Sequence, residues 1–204
     1  MRLSTLIKKA EEAWEKAVTG RTGNDLRLHR LRKLGATIGR DCVIHTGDFS
    51  PDPYLVEIGD RVGIAGGTRF VTHDGAAWLL RPSHPDLYIF GRIKVGSGTF
   101  IGLGCIILPD TTIGRNCLIG AGSVVKGDIP DDSVVMGNPA RVVMKTGVME
   151  RLILGNRGRL DADLLALMPA ERKKLILEHL ANRGPRKSGE DHSAGTAPRP
   201  AEKV

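Results

Sequence analysis

Aromatic residues are scarce in this 204-residue chain: two Trp, two Tyr and four Phe, or 4%. That shortage argues against the basic surface interleaved with aromatic rings that binds single-stranded nucleic acid. Cysteine is scarcer still. Cys42, Cys105 and Cys117 match no zinc-ligand spacing and form no disulfide framework, so neither a metal nor a bridge is expected. No apolar run approaches the roughly 18 residues that a membrane-spanning helix needs. The opening segment MRLSTLIKKAEEAWEKA carries acids and has no apolar stretch of the signal-peptide kind, so a cytoplasmic location is expected.

The net charge of +7 is unevenly spread. Residues 1–35 hold nine Lys/Arg against four acids, residues 36–140 eight against eleven, and residues 141–204 thirteen against eight. A mildly acidic body thus sits between basic flanks. Nucleic acid is not expected as a partner, whereas an anionic small ligand near the C-terminal flank fits this pattern.

What the chain has in excess is glycine, 26 residues, concentrated at regular places between 35 and 140. Val95, Ile101, Ile107, Ile113, Ile119 and Val125 fall six apart. Small residues stand four positions after each of the first five: Thr99, Cys105, Thr111, Cys117 and Ser123. The same beat appears in Ile38 and Ile44, then in Ile58, Ile64 and Phe70. Neither a helix of period 3.6 nor an alternating strand yields a strict period of six. A coil of three short strands does, at about eighteen residues per turn, with one aliphatic residue per side pointing inward. Coils stacked at roughly 4.8 Å would place Ile101 over Ile119, Ile107 over Val125 and Val95 over Ile113, making three ladders inside a triangular prism. The cysteines occupy the small corner positions, where a buried thiol acts as a small hydrophobe.

The beat slips twice. Residues 47–55, GDFSPDPYL, add two residues to one coil. After Phe70 the next beat is due at residue 76 but resumes at Val95, so residues 74–92 are expected to leave the prism as a long loop. Loops of that length in compact domains are usually functional. His73 and Asp74 stand at the mouth of this one, and Trp78, Arg81 and His84 lie on it.

The segments IGLGCIILPDTTIGRNCLIGAGSVV and DIPDDSVVMGNPARVV together resemble the hexapeptide-repeat acyltransferases. PDPYLVEIGDRVGIAGGTRFVTHDGAAWLLR is similar to the branch that acetylates sugars of capsular and related surface polysaccharides. The likeness covers roughly residues 34–145. It implies a left-handed parallel β-helix of about five coils, a homotrimer, and acetyl-CoA lying in a cleft between neighbouring prisms. It also implies that His73, at the start of the protruding loop, is the base that deprotonates the acceptor for direct attack on the thioester.

Such a transfer needs a base because an unassisted hydroxyl ionises far above neutral pH, and a neutral imidazole can take the proton. The thioester is already activated, so no cysteine nucleophile is needed. A base works better when a carboxylate or carbonyl holds its other ring nitrogen. Asp52, Asp74 and Glu57 are the candidates, and the branch favours an acid at Asp52; Asp52 and Asp74 are equally readable as turn residues. Tyr54, Glu57, Asp74, Trp78 and Arg81 are expected to meet the acceptor, Trp78 by stacking on a sugar and Arg81 by forking onto hydroxyls or an anionic group. Trp78 is equally readable as packing the loop onto the prism, and His84, before Pro85, as a solvent-facing turn residue. The resemblance further implies that backbone groups about Leu103 and Ala121 hold the pantetheine arm, and that Lys126, Arg141 and Lys145 hold the phosphates. Lys126 stands one place earlier than the family lysine, in Val124-Val125-Lys126-Gly127-Asp128.

The expected domains are N-terminal helices over 1–35, the β-helix over 36–145, C-terminal helices over 146–183 and a disordered tail over 184–204. Leu3, Ile7, Ala10, Trp14 and Ala17 line one helical face, and a second helix over 24–34 ends at Gly35. LDADLLALM and PAERKKLILEHL read as helices, the second opening at Pro169. The basic C-terminal end could touch an anionic membrane surface. The expected activity is transfer of acetyl from acetyl-CoA to a sugar hydroxyl. N-acetylation of a nucleotide-linked amino sugar, acetylation of a xenobiotic and a non-catalytic β-helix are the alternatives.

Overall fold

The computed structural model describes residues 23–156, 158–163 and 166–182. Strands of two or three residues recur along the chain and pair in parallel with those of the next coil. One face carries β1 (Thr37–Ile38), β3 (Val56–Ile58) and β8 (Ile93–Val95), continued by the far halves of β10 (Ile106–Ile113) and β12 (Val124–Ile129). A second carries β2 (Val43–Ile44), β4 (Gly63–Ile64), β9 (Phe100–Ile101), β11 (Leu118–Ile119) and β13 (Ser133–Gly137). The third carries β5 (Arg69–Phe70) and the near halves of β10 and β12, which turn the corner through a register shift between Ile107 and Thr111.

The eighteen-residue spacing predicts the register. Ile101 pairs with Ile119, Ile107 with Val125 and Val95 with Ile113. The first face aligns Ile38, Ile58, Val95, Ile113 and Ile129. The second aligns Ile44, Ile64, Ile101, Ile119 and Val135, and the third Phe70, Ile107 and Val125. All are buried, and these ladders are the core of a parallel β-helix. Each aliphatic side chain so placed contributes about 1.5–3 kcal/mol through removal from water.

The corners explain the small residues. Thr68 donates its hydroxyl to the Gly102 carbonyl at 2.8 Å and Thr99 to Gly114 at 2.9 Å. The thiols of Cys42, Cys105 and Cys117 make the equivalent reach to Gly59 (3.1 Å), Gly120 (3.1 Å) and Pro130 (3.3 Å). All three cysteines are free and buried, and each stands in for threonine by tying one coil to the next. Burial pushes the Cys105 and Cys117 thiols up, away from the thiolate form. At one corner every turn is made by a left-handed residue: Asp41, Arg61, Gly98, Asn116 and Asp132, with φ between +52° and +74°.

Helix α1 (Gly23–Lys33) covers the first coil, with Leu26, Leu28 and Leu31 buried. Its polar side chains satisfy backbone groups of the edge strands, which would otherwise lack partners. Asn24 accepts from Ile44 N–H (2.9 Å) and donates to the Cys42 carbonyl (3.0 Å), while Arg27 and Arg32 donate to Ile44, Ile38 and Gly39 carbonyls. Gly35, at φ +96°, ends the helix in the left-handed conformation that releases the chain into β1. At the other end β14 (Ala140–Lys145) folds back antiparallel on β13.

The chain divides into two compact units at Arg151/Leu152, inside helix α2 (Thr146–Leu154). Helix α3 (Pro169–Ala181) opens at Pro169, with Glu171 Oε2 accepting from Met168 N–H at 3.1 Å. The helical reading of LDADLLALM is corrected: its described residues form turns and irregular chain. Arg159 is paired there with Asp161 at 2.7 Å, and aspartates at 161 and 163 favour local side-chain bonding over helix. The helix expected over residues 3–17 and the tail from 184 lie outside the described residues.

Candidate active site

The break in the repeat is an ordered excursion. The chain leaves after Thr72, runs through β6 (His73–Asp74) and a 3-10 turn (Gly75–Leu80), and returns through β7 (Ile89–Phe90). β6 and β7 pair antiparallel, His73 opposite Phe90 and Asp74 opposite Ile89. Gly91 N–H donates to the Thr72 carbonyl at 2.8 Å and closes the neck. A Cβ at Gly91 would lie 2.5 Å from Asp110 N, so the returning chain passes too close to the coil above for any side chain.

Each side chain of the excursion has a local reason for its place. Asp74 Oδ1 accepts from Ala76 N–H at 2.8 Å, capping the 3-10 turn, so its carboxylate works as the turn residue that its position before Gly75 allows. The turn presents Trp78, which is 75% exposed and does not pack the excursion onto the prism. The Arg81 guanidinium lies 4.8 Å from the centroid of the Tyr88 ring, a cation–π contact, and Tyr88 stacks with Phe90 at 6.2 Å. His84 accepts from or donates to Ser83 through Nδ1 at 3.0 Å, within the turn that follows.

These groups enclose a pocket of about 370 Å³ lined by Asp52, His73, Asp74, Trp78, Arg81, Tyr88 and Phe90, among others. The expected residues His73, Asp52, Asp74, Trp78 and Arg81 therefore come together. Tyr54 and Glu57 do not line the pocket. Tyr54 acts from behind, donating its hydroxyl to Asp52 Oδ1 at 2.7 Å, and the same bond holds the phenol above its ordinary titration range. Glu57 points along the prism face, 3.2 Å from Lys94 and 3.7 Å from Arg92.

His73 has a partner that was not among the expected carboxylates. Ser50 Oγ lies 3.2 Å from Nδ1 of His73. Ser50 comes from the two-residue bulge in GDFSPDPYL, whose Phe49 is buried and stacked on Phe70 with ring centroids 4.5 Å apart. Sequence reasoning also missed Tyr88 and Phe90; the one available signal was the alternation of aliphatic and aromatic residues in LYIF just before Gly91.

Leu103 and Ala121 are exposed at stacked corners, joined where Gly122 N–H donates to the Leu103 carbonyl at 2.8 Å. Lys126 is exposed on β12. Arg141 and Lys145 lie on β14, where Lys145 Nζ donates to the Asp131 carbonyl at 3.4 Å. None of these five lines the His73 pocket.

Comparison with known proteins bears on what this geometry serves. The family model for bacterial transferase hexapeptide, six repeats, matches residues 92–127. Protein CapG of Staphylococcus aureus is 41% identical over 156 residues, which is 75% of this chain and 88% of that protein. A Mycobacterium tuberculosis (strain ATCC 25618 / H37Rv) protein named "Probable acetyltransferase Rv3034c" is 36% identical over 74% of this chain and 49% of its own length. The galactoside O-acetyltransferase of Escherichia coli (strain K12) is 40% identical over 52% of each chain. The chain thus spans about half the length of these last two relatives. With the repeat, the fold and these relatives in agreement, the chain belongs to the hexapeptide-repeat acyltransferases.

Proposed function

We propose that this protein transfers acetyl from acetyl-CoA to a sugar hydroxyl, with His73 as general base. The observation that carries the reading is the pocket at the break in the β-helix, where an imidazole with one nitrogen held by Ser50 shares a wall with Trp78, Arg81 and Asp52. Trp78 offers a free ring face on which an apolar sugar face can stack, and Arg81 and Asp52 supply donors and acceptors for hydroxyls. The similarity to a galactoside O-acetyltransferase supports a sugar acceptor.

The chemistry follows from the parts. The acceptor oxygen attacks the thioester carbonyl while its proton passes to Nε2 of His73. The tetrahedral intermediate collapses with cleavage of the C–S bond, and the imidazolium returns the proton to the departing sulfur. No covalent intermediate on the protein is needed, and all three thiols are buried in the corners.

The active assembly in this reading is a homotrimer of left-handed prisms in the cytoplasm. The pantetheine arm runs along the Leu103 and Ala121 corners between neighbours, with Lys126, Arg141 and Lys145 toward the phosphates. The outward residues Val43, Phe100 and Leu103 are large, apolar and exposed in the single chain, which supports a neighbour against them.

The test is acetyl-CoA turnover by the purified protein with a panel of galactosides, other hydroxyl sugars and amino sugars. Hydroxyl sugars are expected to be acetylated, and His73→Ala to lower kcat by roughly 10²–10⁴-fold. Acetylation confined to amino groups, or a His73→Ala rate equal to wild type, overturns the reading.

A further inference from the structure

Ser50 is held in an unfavourable backbone conformation beside the histidine. Its φ is +56°, in the left-handed region that favours glycine, and Pro51 follows it. The remaining non-glycine residues with positive φ among the described residues are Asp, Asn or Arg, and Ser50 is the one whose side chain reaches a pocket residue. A strained residue over-determined by its surroundings is a pointer to function. The surroundings here are explicit. Asp48 N–H donates to Thr46 Oγ1 at 3.2 Å, Phe70 N–H donates to the Asp48 carbonyl at 3.0 Å, and Arg69 pairs with Asp48 at 3.1 Å. With Phe49 stacked on Phe70, the bulge is bound to the very coil that runs on through Val71 and Thr72 into His73.

The carboxylates near the pocket have other partners: Asp52 accepts from Tyr54, Asp74 from Ala76 N–H, and Glu57 pairs with Lys94 and Arg92. We propose that Ser50 is a positioning residue that sets the tautomer of His73: its Oγ accepts the Nδ1–H, which leaves the lone pair on Nε2. This rests on the reading of His73 as the base. If the hydroxyl donated instead, the proton would sit on Nε2 and the ring could not accept from the substrate. An accepting hydroxyl suits both states of the cycle. It holds Nδ1–H while the ring is neutral, and the same bond becomes charge-assisted, and stronger, once Nε2 has taken the acceptor's proton. When Nε2–H passes its proton to the leaving sulfur, the ring returns to the starting tautomer with Nδ1–H unmoved.

The experiment compares Ser50→Gly and Ser50→Ala with wild type. Glycine relieves the left-handed strain, so Ser50→Gly folds at least as stably by thermal unfolding. Its kcat is nevertheless expected to fall roughly tenfold or more, with KM for acetyl-CoA and acceptor unchanged. The ring nitrogens of ¹⁵N-labelled His73, read by NMR without substrate, are expected to show the Nδ1–H tautomer in wild type and to lose that preference in Ser50→Gly. A Ser50→Gly kcat equal to wild type overturns the proposal, as does an Nε2–H tautomer in the wild-type protein. The NMR readout needs no turnover, so it decides the role of Ser50 even if His73→Ala were to show that the base lies elsewhere.

Discussion

Gly91→Ala tests the link between the scaffold and the site. The added methyl would stand 2.5 Å from Asp110 N, 2.6 Å from Asp110 Oδ1 and 2.7 Å from its Cγ. The carboxylate can swing aside, but the backbone nitrogen belongs to a corner of the coil above and cannot. Relief therefore requires the neck to shift by about half an ångström or more, which stretches the Gly91 N–H bond to the Thr72 carbonyl. Overpacking of this kind costs about 1–3 kcal/mol, and a weakened hydrogen bond about another 1 kcal/mol. The ladders on either side of the neck are untouched, so the loss falls on the excursion. Phe90 moves with Gly91, and Phe90 pairs with His73. With His73 as the proposed base, its misplacement by about an ångström is expected to lower turnover roughly 10²-fold. The assay pairs thermal unfolding with release of the CoA thiol, using Gly47→Ala as a control because a Cβ there meets nothing within 4 Å. Gly91→Ala should lose most of its kcat/KM while Gly47→Ala stays near wild type. Equal kcat/KM and equal Tm for Gly91→Ala and wild type would refute the argument that the neck positions the histidine.

Two further outcomes follow from the corners. The thiols of Cys42, Cys105 and Cys117 should resist a disulfide reagent in the native protein and react as a set on unfolding, since all three are buried; prompt labelling of the folded protein would contradict their structural role. The carboxyls of Asp60 and Asp131 are held below the ordinary aspartate range, chiefly because they accept the backbone N–H of Arg40 and Arg115. A depressed group stabilises the fold above its unfolded value of about 3.9 and loses that contribution as pH falls through its lower folded value. The Asp60→Asn/Asp131→Asn double variant should therefore melt below wild type at pH 7, with the gap in Tm closing below about pH 4. A gap independent of pH would show that their charge is not involved.

The ladders were legible because a period of six leaves the chain one arrangement that buries every aliphatic residue, and the register follows from three sixes per coil. Cys105 and Cys117 were legible for the same reason, since their place in the beat fixed them as corner residues. His73, Trp78 and Arg81 could be placed at one site because the beat failed there. Ser50 could not. Its meeting with His73, 23 residues away, depends on how a two-residue bulge bends and on a left-handed φ before a proline, and neither has a repeat to report it. Tyr54 and Glu57 show the same limit: a hydrogen bond to Asp52 and pairing with Lys94 and Arg92 engage them away from the pocket, and neither contact has a signature in the repeat. The misread LDADLLALM carries apolar content suited to a helix, while the polar contacts of its aspartates decided otherwise.

The neck between Thr72 and Gly91 has a consequence for how such chains diversify. Its two ends meet within a single hydrogen bond, and the rungs before and after it keep their neighbours, Phe70 with Ile107 and Ile93 with Thr111. The scaffold thus treats eighteen intervening residues as a detachable module. Any segment whose termini close to the same gap could be spliced in at that bend, so one insert can be exchanged while the aliphatic ladders along the column stay as they were.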